Sequence, residues 1–155
     1  MVVSFKISKG LTRIGIVLFS FRPRLIFNFN TYSRKRDILR AINNIKYPSG
    51  GTRTGLAMSY AQRTLFKSRS SSSKCVMIVM TDGRSQDRVG RPAWALKRRG
   101  IKIFAIGIGK HYNLPQLFKI ASSKRHVYTA GFRNLASIVR VIKKKACSGK
   151  MCFVS

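Results

Sequence analysis

The residues best placed to do chemistry are Thr81, Asp82 and Gly83, which directly follow an apolar run from Cys75 to Met80. Such a run predicts a buried strand, and Thr-Asp-Gly predicts the turn at which that strand ends. In an open α/β sheet, ligands bind at the carboxyl ends of the strands. Asp82 is one of only three acidic residues in the chain. The sequence therefore predicts a binding site around Asp82, with a carboxylate that bonds to backbone N–H groups of the turn as the simpler alternative.

The charge balance is the second chemical feature. The 155 residues include 32 Lys and Arg against three Asp and no Glu, a formal net charge of +29. An apolar content of 45% is ordinary for a globular core, so the excess charge must lie on the surface. Such a surface attracts nucleic acid, sulfated glycans, anionic membranes or acidic proteins. Two clusters at predicted helix ends are the expected anchors for a polyanion: Arg98 and Arg99, and Lys143, Lys144 and Lys145. Cations at the carboxyl ends of helices also interact favourably with the helix dipoles, which is an alternative reason for their positions.

Catalytic and zinc-site patterns are absent from the sequence. His111 and His126 are isolated, and no Cys/His cluster has the spacing of a zinc site. No Ser/His/Asp arrangement is evident, since none of the three acids is near a histidine in sequence. We therefore interpret the protein as non-catalytic. No apolar run reaches the length of a membrane span, and residues 1–9 do not resemble a signal peptide.

The three cysteines leave the redox compartment open. Cys75 lies within the apolar run and is most simply a small buried residue. Cys147 and Cys152 follow the last predicted helix and are the disulfide candidates. They could pair with each other, or either could pair with a segment outside this chain.

Strand-like and helix-like segments alternate along the chain. The predicted strands are 13–20, 25–29, 75–80, 101–108 and 126–129, and the predicted helices are 33–45, 56–66, 89–99, 114–121 and 132–145. Strands separated by helices predict an α/β fold with a mostly parallel sheet and helices on both faces. We expect Ser33 to cap the first of these helices and Asp87 to cap the helix over 89–99. Thr52 and Thr54 are alternatives as the cap of the helix predicted over 56–66.

Several segments in this order resemble the von Willebrand factor A domain family, in particular modules of collagens, matrilins and related matrix proteins. The resemblance covers nearly the whole chain. The matching segments are Arg13 to Ser20, Asn30 to Tyr32, Tyr47 to Ala57, Thr81 to Asp87 and Gly100 to Gly109.

The resemblance implies a doubly wound, Rossmann-like sheet with a metal-ion-dependent adhesion site at one end. That site takes an Asp-x-Ser-x-Ser turn after the first strand, a Thr from a Gly-Gly-Thr loop and an Asp from a Thr-Asp-Gly turn. Asp82 and Thr52 match the last two, with Thr54 as the alternative to Thr52. The first turn is absent, so we expect a domain over 1–147 that lacks its first strand, followed by a short tail over 148–155.

The missing turn has a chemical consequence. Mg²⁺ takes near-octahedral oxygen ligands, usually including one or two carboxylates. One carboxylate and one hydroxyl predict that Mg²⁺ or Mn²⁺ binds weakly or not at all, since the surrounding positive charge also repels a cation.

The resemblance further implies a secreted adhesion or protein-binding module of the extracellular matrix. Its expected ligands are collagen-like proteins, acidic proteins or sulfated glycans such as heparin. One alternative is a basic nucleic-acid-binding protein, which we disfavour because most of the aromatic residues occupy core-patterned positions and are not interleaved with the basic clusters. The other is a truncated fragment without independent function.

Overall fold

The computed structural model describes residue 7 and the ranges 12–46, 49–67, 74–131, 135–146 and 151–153. The strands are β1 (Arg13–Ile14), β2 (Ile16–Phe19), β3 (Pro23–Phe27), β4 (Lys74–Thr81), β5 (Ile101–Ile108), β6 (Val127–Ala130) and β7 (Met151–Phe153). The helices are α1 (Lys35–Asn43), α2 (Thr54–Thr64), α3 (Gly90–Arg98), α4 (Leu114–Ile120) and α5 (Leu135–Ala146). Three strands and then two helices come first, and from β4 onward strands and helices alternate.

The larger sheet has the strand order β1-β7-β4-β5-β6, and all of its pairings are parallel. β2 and β3 form a separate antiparallel pair. β1 and β2 together correspond to the single strand predicted over 13–20, and the break falls at Gly15. The predicted mostly parallel α/β architecture is confirmed.

β4 and β5 form the centre of the fold. They pair in register from Cys75 opposite Ile101 to Thr81 opposite Gly107. Val79 is 6% exposed and Ile106 is fully buried. Both strands read as nearly continuous apolar runs because both faces of the sheet are covered.

Helices cover the two faces of the sheet separately. One buried cluster joins α2, α3 and α4 to the sheet and includes Met58, Ala61, Ala93, Leu96, Leu117, Met77 and Val79. The other joins α1 and α5 to the opposite face and includes Ile38, Ile138, Ile142, Ile78 and Ile106. Side chains alternate along β4, so neighbouring residues contribute to different clusters. This is the doubly wound arrangement that the sequence predicts.

The C-terminal residues differ from the predicted tail. Met151–Phe153 form β7, which lies between β1 and β4 and pairs with both in parallel. Three residues give too weak a pattern to be identified as a strand from sequence alone. The domain therefore extends beyond residue 147. Cys147 lies outside the described residues, whereas Cys152 is in register with Cys75 of β4.

β7 pairs with only the first two residues of β4, Lys74 and Cys75. Further along, a small apolar cavity of about 20 Å³ lies between β2, β4 and α2. Its lining includes Val17, Phe19, Thr54, Ala57 and Val79. Within the described ranges, β2 and β4 have no mutual pairing, so the sheet is incomplete at this point.

The described part of the chain contains no helix that is both long and apolar enough to cross a membrane.

Candidate functional site

Three loops meet beyond the carboxyl ends of β2 and β4. Arg53 N–H donates to the Ser20 carbonyl over 2.9 Å, which links the loop before α2 to the turn after β2. Gln86 N–H donates to the Thr52 carbonyl over 2.7 Å, which links the same loop to the turn after β4. The expected position of the site, at the ends of the strands, therefore coincides with a connected set of loops.

In this loop set, Thr52 lies against Gly83, the residue that follows Asp82. Asp82 is exposed, and Thr52 is partly buried. A Cβ placed on Gly83 would stand 3.0 Å from the Thr52 hydroxyl oxygen. The Thr52 hydroxyl therefore packs directly against the residue that follows Asp82, and a larger residue than glycine would push it away.

Thr54 occupies a different environment. It is 1% exposed, and its hydroxyl oxygen has no hydrogen-bond partner among the described residues. It lines the apolar cavity between β2 and β4. Of the two threonine hydroxyls, the one of Thr52 packs against Gly83 in the Asp82 turn.

Asp87 organises the start of α2 and does not cap α3. Its carboxylate accepts hydrogen bonds from the N–H groups of Gly55 (2.8 Å) and Leu56 (2.7 Å) and from the Ser85 hydroxyl (2.7 Å). The Ser85 hydroxyl in turn accepts the Thr54 N–H. The expectation that Asp87 caps the helix over 89–99 is wrong, because the N–H groups of α2 are the ones it reaches.

A polar contact ties α4 into the same turn. Gln116 accepts a hydrogen bond from Ser85 N–H over 2.8 Å and donates one to the Ser85 carbonyl over 3.0 Å. Asn113 caps α4 by accepting Gln116 N–H. Sequence reasoning missed Ser85 and Gln116, because their pairing joins residues 31 apart with no spacing signal.

The donor set does not fit a firm divalent-cation site. The loop end offers the exposed Asp82 carboxylate and the Thr52 hydroxyl, while Asp87 is engaged at α2. Asp37 lies on α1, beside Arg36. No group of three His, Cys, Asp or Glu side chains is close enough to hold a metal in the described ranges. One carboxylate and one hydroxyl are fewer oxygen ligands than Mg²⁺ or Ca²⁺ requires.

Cations stack on aromatic rings at the surface. The Arg53 guanidinium lies 3.8 Å from the Phe21 ring centroid at the loop end. The Arg98 guanidinium lies 4.8 Å from the ring of Trp94, which is 58% exposed on α3. Phe21 and Trp94 are therefore exceptions to the expectation that most aromatic residues lie in the core, apart from the basic clusters. The pattern around Trp94 resembles a core segment because Ala93 and Leu96 are indeed buried.

The predicted basic anchors differ in how freely their side chains could bind a ligand. Arg98 is exposed, whereas the Arg99 guanidinium donates to the Phe66 carbonyl over 2.6 Å. Lys145 donates to the Arg125 carbonyl (3.1 Å) and to the Tyr128 hydroxyl (2.9 Å). Lys143 and Lys144 belong to α5, but their side chains lie outside the described part of the structure.

Among the described residues, Lys97 and His126 have a lowered pKa. Burial lowers the pKa of Lys97, whose ammonium donates to the Lys119 carbonyl over 2.8 Å and so joins α3 to α4. Burial also lowers the pKa of His126, with further contributions from the positive charges of Lys102 and Lys145. His126 directly precedes β6, so it lies at the end of the parallel sheet opposite to the Asp82 turn.

Comparisons with known proteins agree with this geometry. The family model of the von Willebrand factor type A domain matches residues 1–140. Vitrin of Mus musculus is 47% identical over 104 residues, which are 67% of this chain and 16% of vitrin. The collagen alpha-4(VI) chain of Mus musculus is 37% identical over 155 residues, which are 98% of this chain and 7% of the collagen chain.

A solved structure is similar over nearly the whole chain. Proximal thread matrix protein 1 from the mussel byssus, solved with a zinc-occupied MIDAS motif, aligns with a TM-score of 0.86 and 32% identity. The alignment covers 94% of this chain and 38% of that protein. The chain spans less than a fifth of the length of the two curated relatives above. Since the family model covers most of its residues, this chain belongs to the von Willebrand factor type A domain family.

Proposed function

We propose that the chain is a non-catalytic adhesion module of a secreted extracellular-matrix protein. Its ligands would be matrix proteins, either collagen-like or acidic. Membership of the family and similarity to matrix proteins such as the collagen alpha-4(VI) chain support the class of function. The observation that carries the proposal is the connected loop end, where three loops from separate parts of the chain present exposed side chains together.

The exposed groups at this end suit an acidic ligand. Arg53 lies over Phe21, and Arg84 is exposed in the turn after β4. Guanidinium groups bind carboxylates through paired N–H donors, and an aromatic ring beneath one of them fixes its position. Direct guanidinium contact would therefore provide binding without a tightly held cation.

A solid-phase assay on immobilised collagen VI and matrilin tests this function. We expect saturable binding of the full chain to at least one of them, unchanged by EDTA. Arg53→Ala should weaken binding by roughly tenfold, the effect typical of a residue central to an interface. Arg40→Ala, which removes an exposed charge from α1, is the matched control and should change affinity less than twofold. Absence of binding to both proteins would contradict the proposal.

A separate measurement addresses the metal. Asp82 and Thr52, with Thr54 as the alternative, would at most form a weak site for Mg²⁺ or Mn²⁺. Calorimetric titration should show no saturable heat below millimolar metal concentrations. A stoichiometric transition that Asp82→Ala abolishes would show that the site is functional.

We further propose that the basic surface binds sulfated glycans. The net charge of +29 supports it, and no acidic residue besides Asp37, Asp82 and Asp87 offsets it. Elution from heparin should require high salt, because counterion release drives such binding. Nucleic acid is the second candidate, since Trp94 and Phe21 are exposed beside arginines. Tighter binding to DNA than to heparin at equal ionic strength would favour it.

A further inference from the structure

One face of α3 carries a basic and aromatic surface that the adhesion site does not use. Arg91, Trp94 and Arg98 are all exposed and lie at helical spacings of three and four, so they share this face. Ala93 and Leu96 anchor the opposite face in the core. We call Arg91, Trp94 and Arg98 the α3 stripe.

The charge at the start of the α3 stripe is not explained by the helix itself. Arg91 lies in the first turn, near the positive end of the helix dipole, where a cation is unfavourable. That turn contains no acidic residue. The ion pair found in the described ranges is the Arg36–Asp37 pair of α1, and the carboxylate of Asp87 is bonded to α2. An external anion would offset this local repulsion.

Trp94 adds a flat apolar face between the two arginines. It is the sole tryptophan of the chain, and more than half of it is exposed. Arg98 already lies against its ring, so the guanidinium is held in place for an incoming anion. Tryptophan and arginine are both enriched at binding interfaces relative to the rest of a protein surface.

The spacing of the α3 stripe indicates the chemistry of the ligand. Arg91 and Arg98 are seven residues apart, about 10 Å along the helix axis. This is close to the length of one disaccharide unit, so each guanidinium could meet a sulfate while a pyranose ring packs against the part of the indole that Arg98 leaves exposed. Sulfate oxygens accept paired N–H bonds from a guanidinium. A single strand of nucleic acid would instead need a groove with successive aromatic platforms, and this convex helix face has one ring.

We propose that the α3 stripe is a binding site for a sulfated glycan chain, with Arg91 and Arg98 on the sulfates and Trp94 under a sugar ring. The proposal rests on the polyanion binding proposed above and assigns it to three side chains. It is independent of adhesion through the loop end.

Trp94 allows a direct test, because all tryptophan fluorescence of the chain arises at the site. Titration of the full chain with a heparin tetrasaccharide, at about 0.15 M salt where long-range attraction is screened, should give a saturable change in Trp94 emission. The double variant Arg91→Gln/Arg98→Gln should bind roughly tenfold more weakly, since two charge-assisted contacts are lost. The control Arg36→Gln/Arg40→Gln removes the same charge from α1 and should bind within about twofold of the original chain.

Different results would overturn the proposed site and the proposed ligand. If heparin retains the chain but Trp94 emission does not change, polyanion binding stands and the α3 site is wrong. Equal weakening by the two double variants would also overturn the site, because it would indicate diffuse charge. Polyglutamate or single-stranded DNA that changes Trp94 emission at lower concentration than the tetrasaccharide would overturn the glycan as ligand. Collagen binding through the loop end is measured separately and would be unaffected by any of these results.

Discussion

At the residue scale, Thr54 and His126 show how individual polar groups adapt to this fold. Thr54 donates its N–H to the Ser85 hydroxyl but leaves its own hydroxyl unpaired among the described residues. His126 contacts the Phe104 ring edge-on, with 4.7 Å between centroids, and its Nδ1 lies 2.9 Å from the Ser123 hydroxyl. Substitution of either residue should change the stability of the protein measurably.

Thr54→Val should stabilise the protein. The substitution keeps the branched shape and removes a buried hydroxyl that has no partner. Its removal should raise the free energy of unfolding by about 1 kcal/mol. For a chain of this length, that corresponds to a rise in Tm of about 2–4 °C. Thr52→Val is the control, since Thr52 is partly buried at the surface, and should shift Tm by less. A lower Tm for Thr54→Val would show that the hydroxyl has a partner.

His126 should make stability depend on pH in the mildly acidic range. Its pKa is lowered in the folded state by burial and by the charges of Lys102 and Lys145. Between the lowered folded pKa and the ordinary value of about 6.5, the unfolded chain binds more protons, so stability falls as pH falls. Above the ordinary pKa, His126 is neutral in both the folded and the unfolded chain, so this loss of stability disappears.

Urea unfolding between about pH 5 and pH 8 measures this effect. His126→Gln should flatten the dependence, whereas His111→Gln, at an exposed loop position, should leave it unchanged. An unchanged slope in His126→Gln would assign the pH dependence to other groups.

At the scale of elements, α2 is held at its start by a carboxylate from a different part of the chain. Asp87 accepts two of the N–H groups that α2 cannot satisfy internally, while Arg53 at the cap position makes no side-chain bond. The position of α2 therefore depends on the turn after β4. This links the turn that carries Asp82 to the loop that carries Thr52.

Asp87→Ala should destabilise the protein by about 2–3 kcal/mol, because charge-assisted bonds to two helix N–H groups and to Ser85 are lost. Asp37→Ala is a matched control. It removes a carboxylate paired with Arg36 at 3.9 Å on the surface of α1, and should cost less than about 1 kcal/mol. Chemical denaturation of both variants makes the comparison. Similar losses in the two would contradict the role of Asp87.

The elements were largely predictable, and the contacts between them were not. The apolar runs of β4 and β5 identify central strands, and the prediction over 101–108 matches β5 residue for residue. The role of Asp87 was missed because local sequence suggests the helix that follows it, whereas its N–H partners lie 31 and 32 residues earlier. Ser33 likewise suggested a cap, but α1 begins at Lys35 with Arg34 at the cap position. Trp94 was missed because its neighbours are buried and only three-dimensional packing shows which face points outward.

At the scale of the whole molecule, the charge of +29 opposes folding through self-repulsion. Salt should therefore stabilise this protein. We expect Tm to rise when sodium chloride is increased from about 0.01 M to about 0.3 M, over which the screening length falls from about 30 Å to below 8 Å. Sodium sulfate at equal ionic strength should raise Tm further, since a divalent anion also binds arginine forks.

Sorbitol at equal osmolality is the control for non-ionic effects. A Tm that is flat or falls across the chloride series would show that the positive charges are spaced widely enough not to interact.

The partly unpaired edge of β4 has a consequence for exchange of its backbone amide hydrogens. β5 pairs with β4 from Cys75 to Thr81, whereas β7 pairs with only Lys74 and Cys75 of β4. Successive N–H groups of a strand point to opposite edges. From residue 76 to 81, every second amide therefore faces a position with no strand partner in the described structure. Deuterium should enter β4 with a period of two residues, fast and slow in turn. Residues 105–107 of β5, which are paired on both edges, should exchange uniformly slowly. Uniform protection along β4 would mean that another segment closes its open edge in solution.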